Sequence, residues 1–334
     1  MRNILVCGVA AIALAGLVLT GFQPAAAAAK EVVYPEKGKV ITMLVPFGAG
    51  GATDVQARMM ARFLEKTLGT PVQVVNKPGA DTQIGLTEFV RARADGYTIV
   101  MTNLPTNFVS YLDPERRAIY GRKDLAQVAN QVYDPQTLTV RADSPYKTLK
   151  DLVDAAKAKP ESIQMAIAGH YSNDHLALLL FEEMSGARFS YVKFDGNAPA
   201  MPALLGGHLD GAPFTVGVWP ASVKSGAVRV LGVMDSQRSK FLPNVPTLEE
   251  QGYKFYAGSQ RGYSVRAGTP KEIIDKLGAA IKLGMESEEI AQKMDATWLT
   301  QRYMDAAEYT RFWDEQEALV KPLLERLWKE TRQK

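Results

Sequence analysis

Apolar and polar positions follow two periodicities along the chain. The apolar run VITMLVPF at 40–47 is typical of a buried strand, and residues 53–68 carry apolar side chains at helical spacing. Residues 72–75 are predicted to form the next strand, 84–92 a second helix and 97–101 a third strand. This βαβαβ order predicts a mainly parallel sheet covered by helices on both faces.

A second series of alternating strands and helices follows, without a repeat of fixed period. Its predicted strands are 138–141, 163–168, 189–193, 211–216 and 228–234. Its predicted helices are 149–158, 173–184 and 198–205; a further helix begins at Pro270 and runs to 283, and two more helical stretches end the chain. Two α/β series imply two lobes with a crevice between them, and open α/β sheets bind ligands at the carboxyl ends of their strands.

Domain boundaries follow from this order. We expect a first lobe built from residues 30–136 and 257–334, and a second lobe built from residues 137–256. The chain must leave the first lobe and return after Pro243 to Pro246, so the crossing segments are predicted near 133–138 and 253–262. The lobes are expected to close on the ligand about these two segments.

The first 29 residues read as a cleaved secretory signal peptide. Arg2 is the only charged residue before Lys30, residues 4–22 are apolar, and the alanines at 25–29 supply A-x-A cleavage sites. The alternative is an uncleaved membrane anchor, since about 19 apolar residues could just span a bilayer. The small residues and the polyalanine end favour cleavage and a periplasmic, soluble protein.

Composition excludes several kinds of partner and cofactor. The 334 residues include 39 Lys or Arg and 36 Asp or Glu, so the net charge of +3 is too small and too mixed to indicate nucleic acid or a membrane surface. Cys7 is the only cysteine and lies in the signal peptide, which excludes disulfides and thiolate chemistry in the mature chain. The three histidines lack zinc spacing and no calcium-loop pattern is present, so we expect no metal and no cofactor, and binding that survives EDTA.

The segment PFGAGGATD at 46–54 joins the first predicted strand to the first long helix. Glycines at 48, 50 and 51 let the backbone approach a ligand, and the helix N-terminus offers unpaired N–H groups with a partial positive charge. An anion cradle, with N–H groups of Gly50 and Gly51 on a carboxylate, is one interpretation. The other is a tight turn in which Thr53 or Asp54 caps the helix. Asp54 is expected to hold the loop rather than touch an anion.

A second strand-to-helix turn, AGHYSNDH at 168–175, lies in the second series. Ser172 or Asn173 can cap the helix and also point a polar group into the crevice. Ser172 lacks the G-x-S-x-G context of a presented nucleophile, so no catalytic residue is predicted. His175, just inside an apolar helix, is predicted more readily as a hydrogen-bonded core residue than as a ligand-binding one.

These segments, taken in order, resemble the substrate-binding proteins of the tripartite tricarboxylate transporter family, the Bug proteins. The resemblance is carried by the PF-x-x-GG-x-x-D loop, the NKPGA, DGYT and LLGGHLD segments, and the PNVPTLEE segment. It implies a two-lobed α/β periplasmic binding fold, type II-like, with a carboxylate held between the two βα loops. It also implies membrane permease subunits as partner, and neither catalysis nor a bound cofactor; we expect a monomer.

The resemblance also assigns site residues by position. Phe47, Gly48, Gly50, Gly51 and Asp54 match the first loop, Gly169, Ser172 and His175 the second, and Gly196 and Pro199 a pocket loop of the second lobe. The residues expected to bind the ligand are Phe47, Gly48, Ala49, Gly50, Gly51, Asp54, Thr102, Asn103, Gly169, His170, Tyr171, Ser172, His175, Asp195, Asn197 and Phe214.

Three departures from the family pattern bear on the ligand. The family usually has a small residue at Tyr171, a glycine pair with Asn at 81–83, and Tyr followed by a cation at 194–195, where this chain has Phe and Asp195. Asp195 argues against a tricarboxylate, and Tyr171 would narrow the crevice or stack on a flat ligand. We therefore expect a monocarboxylate or small dicarboxylate with an apolar or aromatic body, or a ligand that also carries an amine.

Two other functions stay open on the sequence. A periplasmic sensor that docks on a signalling receptor would share this fold and pocket. An exported α/β hydrolase would need a perturbed acid–base pair in the crevice, for which His170 with Asp195 is a scattered candidate.

Overall fold

The computed structural model describes residues 33–332, and the predicted signal peptide with Cys7 lies outside the described residues. The strands are Ile41–Val45 (β1), Val72–Asn76 (β2), Thr98–Leu104 (β3), Leu125–Pro135 (β4), Thr137–Arg141 (β5), Gln164–Ile167 (β6), Ser190–Lys193 (β7), Gly211–Ala212 (β8), Val228–Val233 (β9), Gly258–Arg266 (β10) and Gln301–Met304 (β11). The α-helices are Ala52–Leu68 (α1), Gln83–Phe89 (α2), Thr106–Leu112 (α3), Leu149–Ala158 (α4), Asn173–Ser185 (α5), Asn197–Leu205 (α6), Pro220–Lys224 (α7), Lys271–Glu286 (α8), Glu288–Ala296 (α9) and Ala306–Arg332 (α10).

Capping residues set several of these helix bounds. The Ser172 side chain accepts a hydrogen bond from the His175 N–H at the start of α5, and Thr148 forms a capping box with Asp151 at the start of α4. Helices α1 and α5 both end at a glycine in the left-handed conformation, Gly69 and Gly186.

Two sheets divide the described residues. The first has six strands in the order β11-β4-β10-β3-β1-β2, and the second has five in the order β7-β6-β8-β5-β9. In the first sheet, β1 to β4 run in one direction while β10 and β11 run against them; in the second, only β5 runs against the other strands. We call each sheet with its helices a lobe, and the predicted two-lobed α/β class is confirmed.

Helices cover both faces of each sheet, and the alternation of side chains along the strands explains why. In the first lobe, Ile41 and Met43 of β1 pack with α1 and α8 on one face, while Leu44 packs with α3 and α10 on the other. In the second lobe, one core lies under α4 and α5 and another under α6, where Trp219 is fully buried.

The chain passes between the sheets at two adjacent places. Strand β4 continues into β5 across Gln136, and the return strand β10 begins after Ala257. The Gln136 N–H donates to the Ala257 carbonyl (2.8 Å), and the Met234 N–H donates to the Gln136 carbonyl (2.8 Å). The crossings are therefore hydrogen-bonded to each other. Their action as a hinge stays a prediction.

Most predicted elements of both βα series are present, including the two helical stretches at the end of the chain. Strands β4, β10 and β11 and helices α3 and α7 were not predicted. Strands β4 and β10 adjoin the two crossings, so the omission concerns the part of the fold that joins the sheets.

Candidate ligand-binding cleft

The first loop, between β1 and α1, is held by Asp54. Its Oδ2 accepts hydrogen bonds from the Gly50 N–H (2.9 Å) and Arg58 Nε (3.0 Å), and its Oδ1 accepts from Asn76 Nδ2 (2.9 Å). Burial raises the pKa of Asp54, but the hydrogen bonds from Arg58, Gly50 and Asn76 outweigh it and hold the pKa below its ordinary value. An ionised Asp54 therefore fixes the loop, as expected.

The glycines of this loop differ in what they offer a ligand. Gly50 has φ +82°, and its N–H is already donated to Asp54. Gly51 is the N-cap of α1, with φ −75° and no side-chain cap. The predicted cradle thus loses the Gly50 N–H, because Asp54 occupies it. The first N–H groups of α1, starting at Gly51, remain at the cleft.

The second loop, between β6 and α5, is fixed by two buried side chains of the first helical turn. His175 Nδ1 accepts from the Tyr171 N–H (2.9 Å), and Asp174 accepts from Gln136 Nε2 (2.9 Å) and the Ala168 N–H (3.2 Å). Burial lowers the pKa of His175 to about 3 and raises that of Asp174 to about 6. The histidine is therefore neutral, and the turn is tied to the crossing at Gln136.

The loops of the two lobes line a cavity of about 50 Å³, which we call the polar chamber. Nine residues that the sequence assigned to the site line it: Phe47, Gly48, Gly51, Asn103, Ser172, Asp195, Gly196, Asn197 and Pro199. Eight others also line it: Ala52, Thr53, Thr106, Ala168, Asn173, Ala198, Ser259 and Arg261. The N-termini of α1, α5 and α6 thus meet at one cavity.

Arg261 was not predicted as a site residue. It lies on β10, is only 2% exposed, and forms an ion pair with the fully buried Asp134 (Nη2 to Oδ2, 2.9 Å). Nη2 also donates to Thr215 Oγ1 (3.1 Å), whereas Nε and Nη1 have no acceptor. Asp134 compensates the charge of Arg261, but two of the guanidinium nitrogens stay without an acceptor at the polar chamber. Arg261 lies in a strand that the apolar pattern did not indicate.

Nine predicted site residues lie outside the lining of the polar chamber: Ala49, Gly50, Asp54, Thr102, Gly169, His170, Tyr171, His175 and Phe214. Phe214 is a core residue stacked on Trp219, with ring centroids 5.8 Å apart. Thr102 lies on the opposite face of β3 from Asn103, where its Oγ1 hydrogen-bonds the Tyr309 hydroxyl (2.9 Å).

Tyr171 corrects one expectation about the crevice. Its ring packs against Trp328 of α10 and against His175, with centroids 6.1 Å and 5.4 Å away, and it does not line the polar chamber. A φ of +56° turns the backbone at this residue. Tyr171 therefore links the lobes instead of offering a stacking face to a ligand.

A second cavity of about 260 Å³, the apolar chamber, adjoins the first. Both chambers share Gly51, Ala52, Asn197 and Ala198. The remaining lining residues of the apolar chamber are Gly50, Val55, Met201, Gly217, Val218, Pro220, Ala221, Ala296, Thr297 and Leu299. None of these residues carries a charge.

An electrostatic cluster joins the lobes at the rim, and we call it the latch. Asp81 Oδ2 lies 3.3 Å from Arg116 Nη2 and 3.2 Å from Lys193 Nζ of the second lobe. Arg116 also donates to the His170 carbonyl (2.8 Å). A Cβ at Gly169 would lie 2.4 Å from Asp81 Oδ1, so the glycine permits this approach. His170 and Gly169 thus belong to the latch, and the exposed Asp195 lies at the rim of the polar chamber.

The described part of the chain lacks two features, a membrane-spanning helix and a metal-binding cluster. In residues 33–332, no helix has both the length and the apolar character needed to cross a membrane. The same residues contain no cluster of three or more His, Cys, Asp or Glu side chains suited to a metal ion.

The chain is similar to known proteins over most of its length. The family model described as "Tripartite tricarboxylate transporter family receptor" matches residues 56–328. The Cupriavidus necator "UPF0065 protein in gbd 5'region" is 31% identical, over 91% of this chain and 91% of that protein. The solved structure of the periplasmic binding protein BugD has a TM-score of 0.80 and 29% identity, covering 87% of this chain and 98% of BugD. MatC from Rhodopseudomonas palustris, with bound malate, has a TM-score of 0.79 and 25% identity, covering 86% of this chain and 99% of MatC.

Proposed function

The chain belongs to the tripartite tricarboxylate transporter receptor family, a family of solute-binding receptors, and we propose that it captures a small organic carboxylate between its lobes and delivers it to membrane permease subunits. The predicted resemblance to the Bug proteins is confirmed. On this proposal the chain is exported to the periplasm after removal of residues 1–29, acts as a monomer without cofactor, and releases its ligand unchanged.

The observation that carries the proposal is the meeting of three helix N-termini at the polar chamber. Helices α1, α5 and α6 begin next to Gly51, Ser172 and Gly196, and each of these residues lines that cavity. A helix N-terminus presents unpaired N–H groups and a partial positive charge, so three of them favour an anion. The malate bound to MatC supports a carboxylate as that anion.

Calorimetric titration of the purified mature protein tests the binding step. The probes are acetate, hexanoate, benzoate, malate, adipate and citrate, with glucose and pentylamine as uncharged and cationic solutes that lack a carboxylate. We expect saturable binding of at least one carboxylate and none of the controls. Binding of glucose or pentylamine, with no response to any carboxylate, would contradict the proposed function.

Uptake tests the delivery step separately. Cells lacking this chain should lose transport of the bound carboxylate, and a plasmid copy with residues 1–29 should restore it. Unchanged uptake together with altered transcription on ligand addition would indicate a sensor instead.

A further inference from the structure

Arg261 is a buried cation with unused hydrogen-bonding capacity. Asp134 and Thr215 hold its Nη2, and Asp134 is itself fixed through Oδ1 by the Gly217 N–H (3.0 Å). The guanidinium therefore has a fixed position, yet Nε and Nη1 have no acceptor. Buried donors without acceptors are unfavourable, and more so on a charged group, so an anion that reaches Nε or Nη1 from the polar chamber would satisfy them.

The charge distribution of the cleft then restricts the rest of the ligand. Among the described residues that line the polar chamber, Arg261 is the only cation, and Asp195 at the rim is the only anion. The lining of the apolar chamber, by contrast, is uncharged and includes Val55, Met201 and Leu299. A second carboxylate would be desolvated there without a cation to compensate it.

We infer that the ligand is a monocarboxylate whose anionic end binds Arg261 in the polar chamber and whose apolar body occupies the apolar chamber. This inference rests on the proposed function and names its ligand class. Arg261 becomes the residue that selects the anionic end, and the apolar chamber selects the length and bulk of the body.

A panel of probes on the wild-type protein tests the ligand class. Affinity should rise about fourfold per added methylene from acetate to hexanoate, as expected for burial of apolar surface. Hexanoate should bind at least about tenfold more tightly than adipate, which has the same length and a second charge, and hexanamide should bind weakly. Adipate or malate binding as tightly as hexanoate would overturn the inference and leave the proposed function standing. Failure of every carboxylate would instead remove the proposed function.

A pair of double variants tests Arg261 itself. Arg261→Gln combined with Asp134→Asn removes both charges, so no unpaired buried charge is left. We expect hexanoate affinity to fall about tenfold to a hundredfold, the range for a charge-assisted hydrogen bond.

The matched control is Arg266→Gln with Asp124→Asn, an ion pair at the other end of β10 (3.0 Å) outside both chambers. It should change hexanoate affinity by no more than about twofold, because neither side chain lines a chamber. Equal effects of the two double variants, or an unchanged affinity in the first, would show that Arg261 is structural. If the first double variant melts before binding can be measured, the wild-type panel still decides the inference.

Ala221→Phe tests the apolar chamber, because Ala221 lines it and is exposed. A larger side chain there should weaken octanoate by at least about tenfold and leave acetate unchanged, since only the longer body needs that volume. Ala221→Ser is the control of similar size. An equal loss for acetate and octanoate, or no loss for either, would contradict the assignment of the body to this chamber.

Discussion

Gly50 and Gly51 of the first loop have different roles, one in loop conformation and one at the cavities. The glycine-rich sequence alone does not distinguish these roles. Gly50 has a positive φ and donates its N–H to Asp54, so it shapes the loop. Gly51 has φ −75° and lines both chambers, whereas Gly50 lines only the apolar chamber. We therefore propose that Gly51 contacts the anion, while Gly50 supplies the left-handed turn of the loop.

The variant Gly51→Ala should weaken ligand binding with little effect on folding. An alanine Cβ would lie 3.5 Å from the Gly48 carbonyl oxygen, an ordinary contact, and its backbone conformation is open to any residue. The methyl group would stand where the anion meets the N-terminus of α1, so we expect at least about a tenfold loss of affinity from one lost charge-assisted contact. Calorimetry and thermal melting measure the two effects.

Gly69→Ala, at the end of α1 and outside both chambers, is the matched control for that variant. Its φ of +64° is unfavourable for alanine by about 1–2 kcal/mol, so the melting temperature should fall while affinity stays the same. The proposed role of Gly51 would be wrong if Gly51→Ala lowered the melting temperature more than Gly69→Ala and left affinity intact.

Residue types alone could not distinguish ligand-binding residues from residues of the hydrophobic core. Phe214 and Thr102 were assigned to the site, but Phe214 stacks on Trp219, and Thr102 points to Tyr309 because its neighbour Asn103 takes the cleft face of β3. Such assignments depend on which face of a strand meets the other lobe. That information comes from packing between distant segments, not from local pattern.

At the scale of elements, the predicted βα units had clear apolar periodicity, whereas β4 and β10 did not. These strands bury polar side chains that hydrogen-bond to buried neighbours: Asn130 donates to Gln260 Oε1 (3.2 Å), and Gln56 of α1 donates to Gln131 Oε1 (3.1 Å). A strand whose buried positions are Asn, Gln and Arg reads as a loop in the sequence. Arg261 lies in such a strand, so its position was not predicted. Its partner Asp134 lies 127 residues earlier in the chain, so the ion pair has no local sequence pattern either.

The first turn of α5 holds two buried groups whose titrations oppose each other. The pKa of His175 is lowered from 6.5 to about 3, so the unfolded chain binds the extra proton between these values and acidification destabilises the fold. The pKa of Asp174 is raised from 3.8 to about 6, so the folded chain binds the extra proton there and acidification stabilises it. Each contributes about 1.4 kcal/mol per pH unit, with opposite sign, and they cancel between about pH 4 and 6.

Replacing one group should expose the titration of the other. Asp174→Asn should make the free energy of unfolding fall more steeply from pH 6 to 4 than in the wild type, because only His175 remains. His175→Gln should shift the slope in the opposite direction relative to the wild type, towards a rise on acidification, because Asp174 is then no longer offset by His175. Denaturant unfolding at four pH values measures both slopes, and parallel slopes in all three proteins would contradict the assignment.

For the whole molecule, the crossings at Gln136 and Ala257 and the small polar chamber together predict lobe movement. The polar chamber is bounded by both lobes, so we expect the lobes to separate when a ligand enters, and two adjacent crossing strands permit rotation about one axis. Small-angle scattering should give a smaller radius of gyration with the tightest-binding carboxylate than without ligand. The same radius in both states would argue against hinge closure.

Closure should also depend on the latch at the rim, which includes one of the sites where this chain departs from its family. Asp81, at that departure, contacts Lys193 across the cleft, with side chains 11% and 38% exposed. Partly exposed pairs contribute about 0.2–1 kcal/mol, so Lys193→Gln should weaken the closed state and reduce ligand affinity by up to about fivefold. Because salt screens such pairs, the difference between variant and wild type should shrink as ionic strength rises from 0.02 to 0.5 M, roughly the range over which the Debye length falls from tens of ångströms to a few.

Lys150→Gln is the matched control, since Lys150 pairs with Asp154 within α4 and does not bridge the lobes. Calorimetry at both ionic strengths decides the matter: an equal loss in the two variants, or a loss at Lys193 that salt does not alter, would mean that the latch does not hold the lobes together.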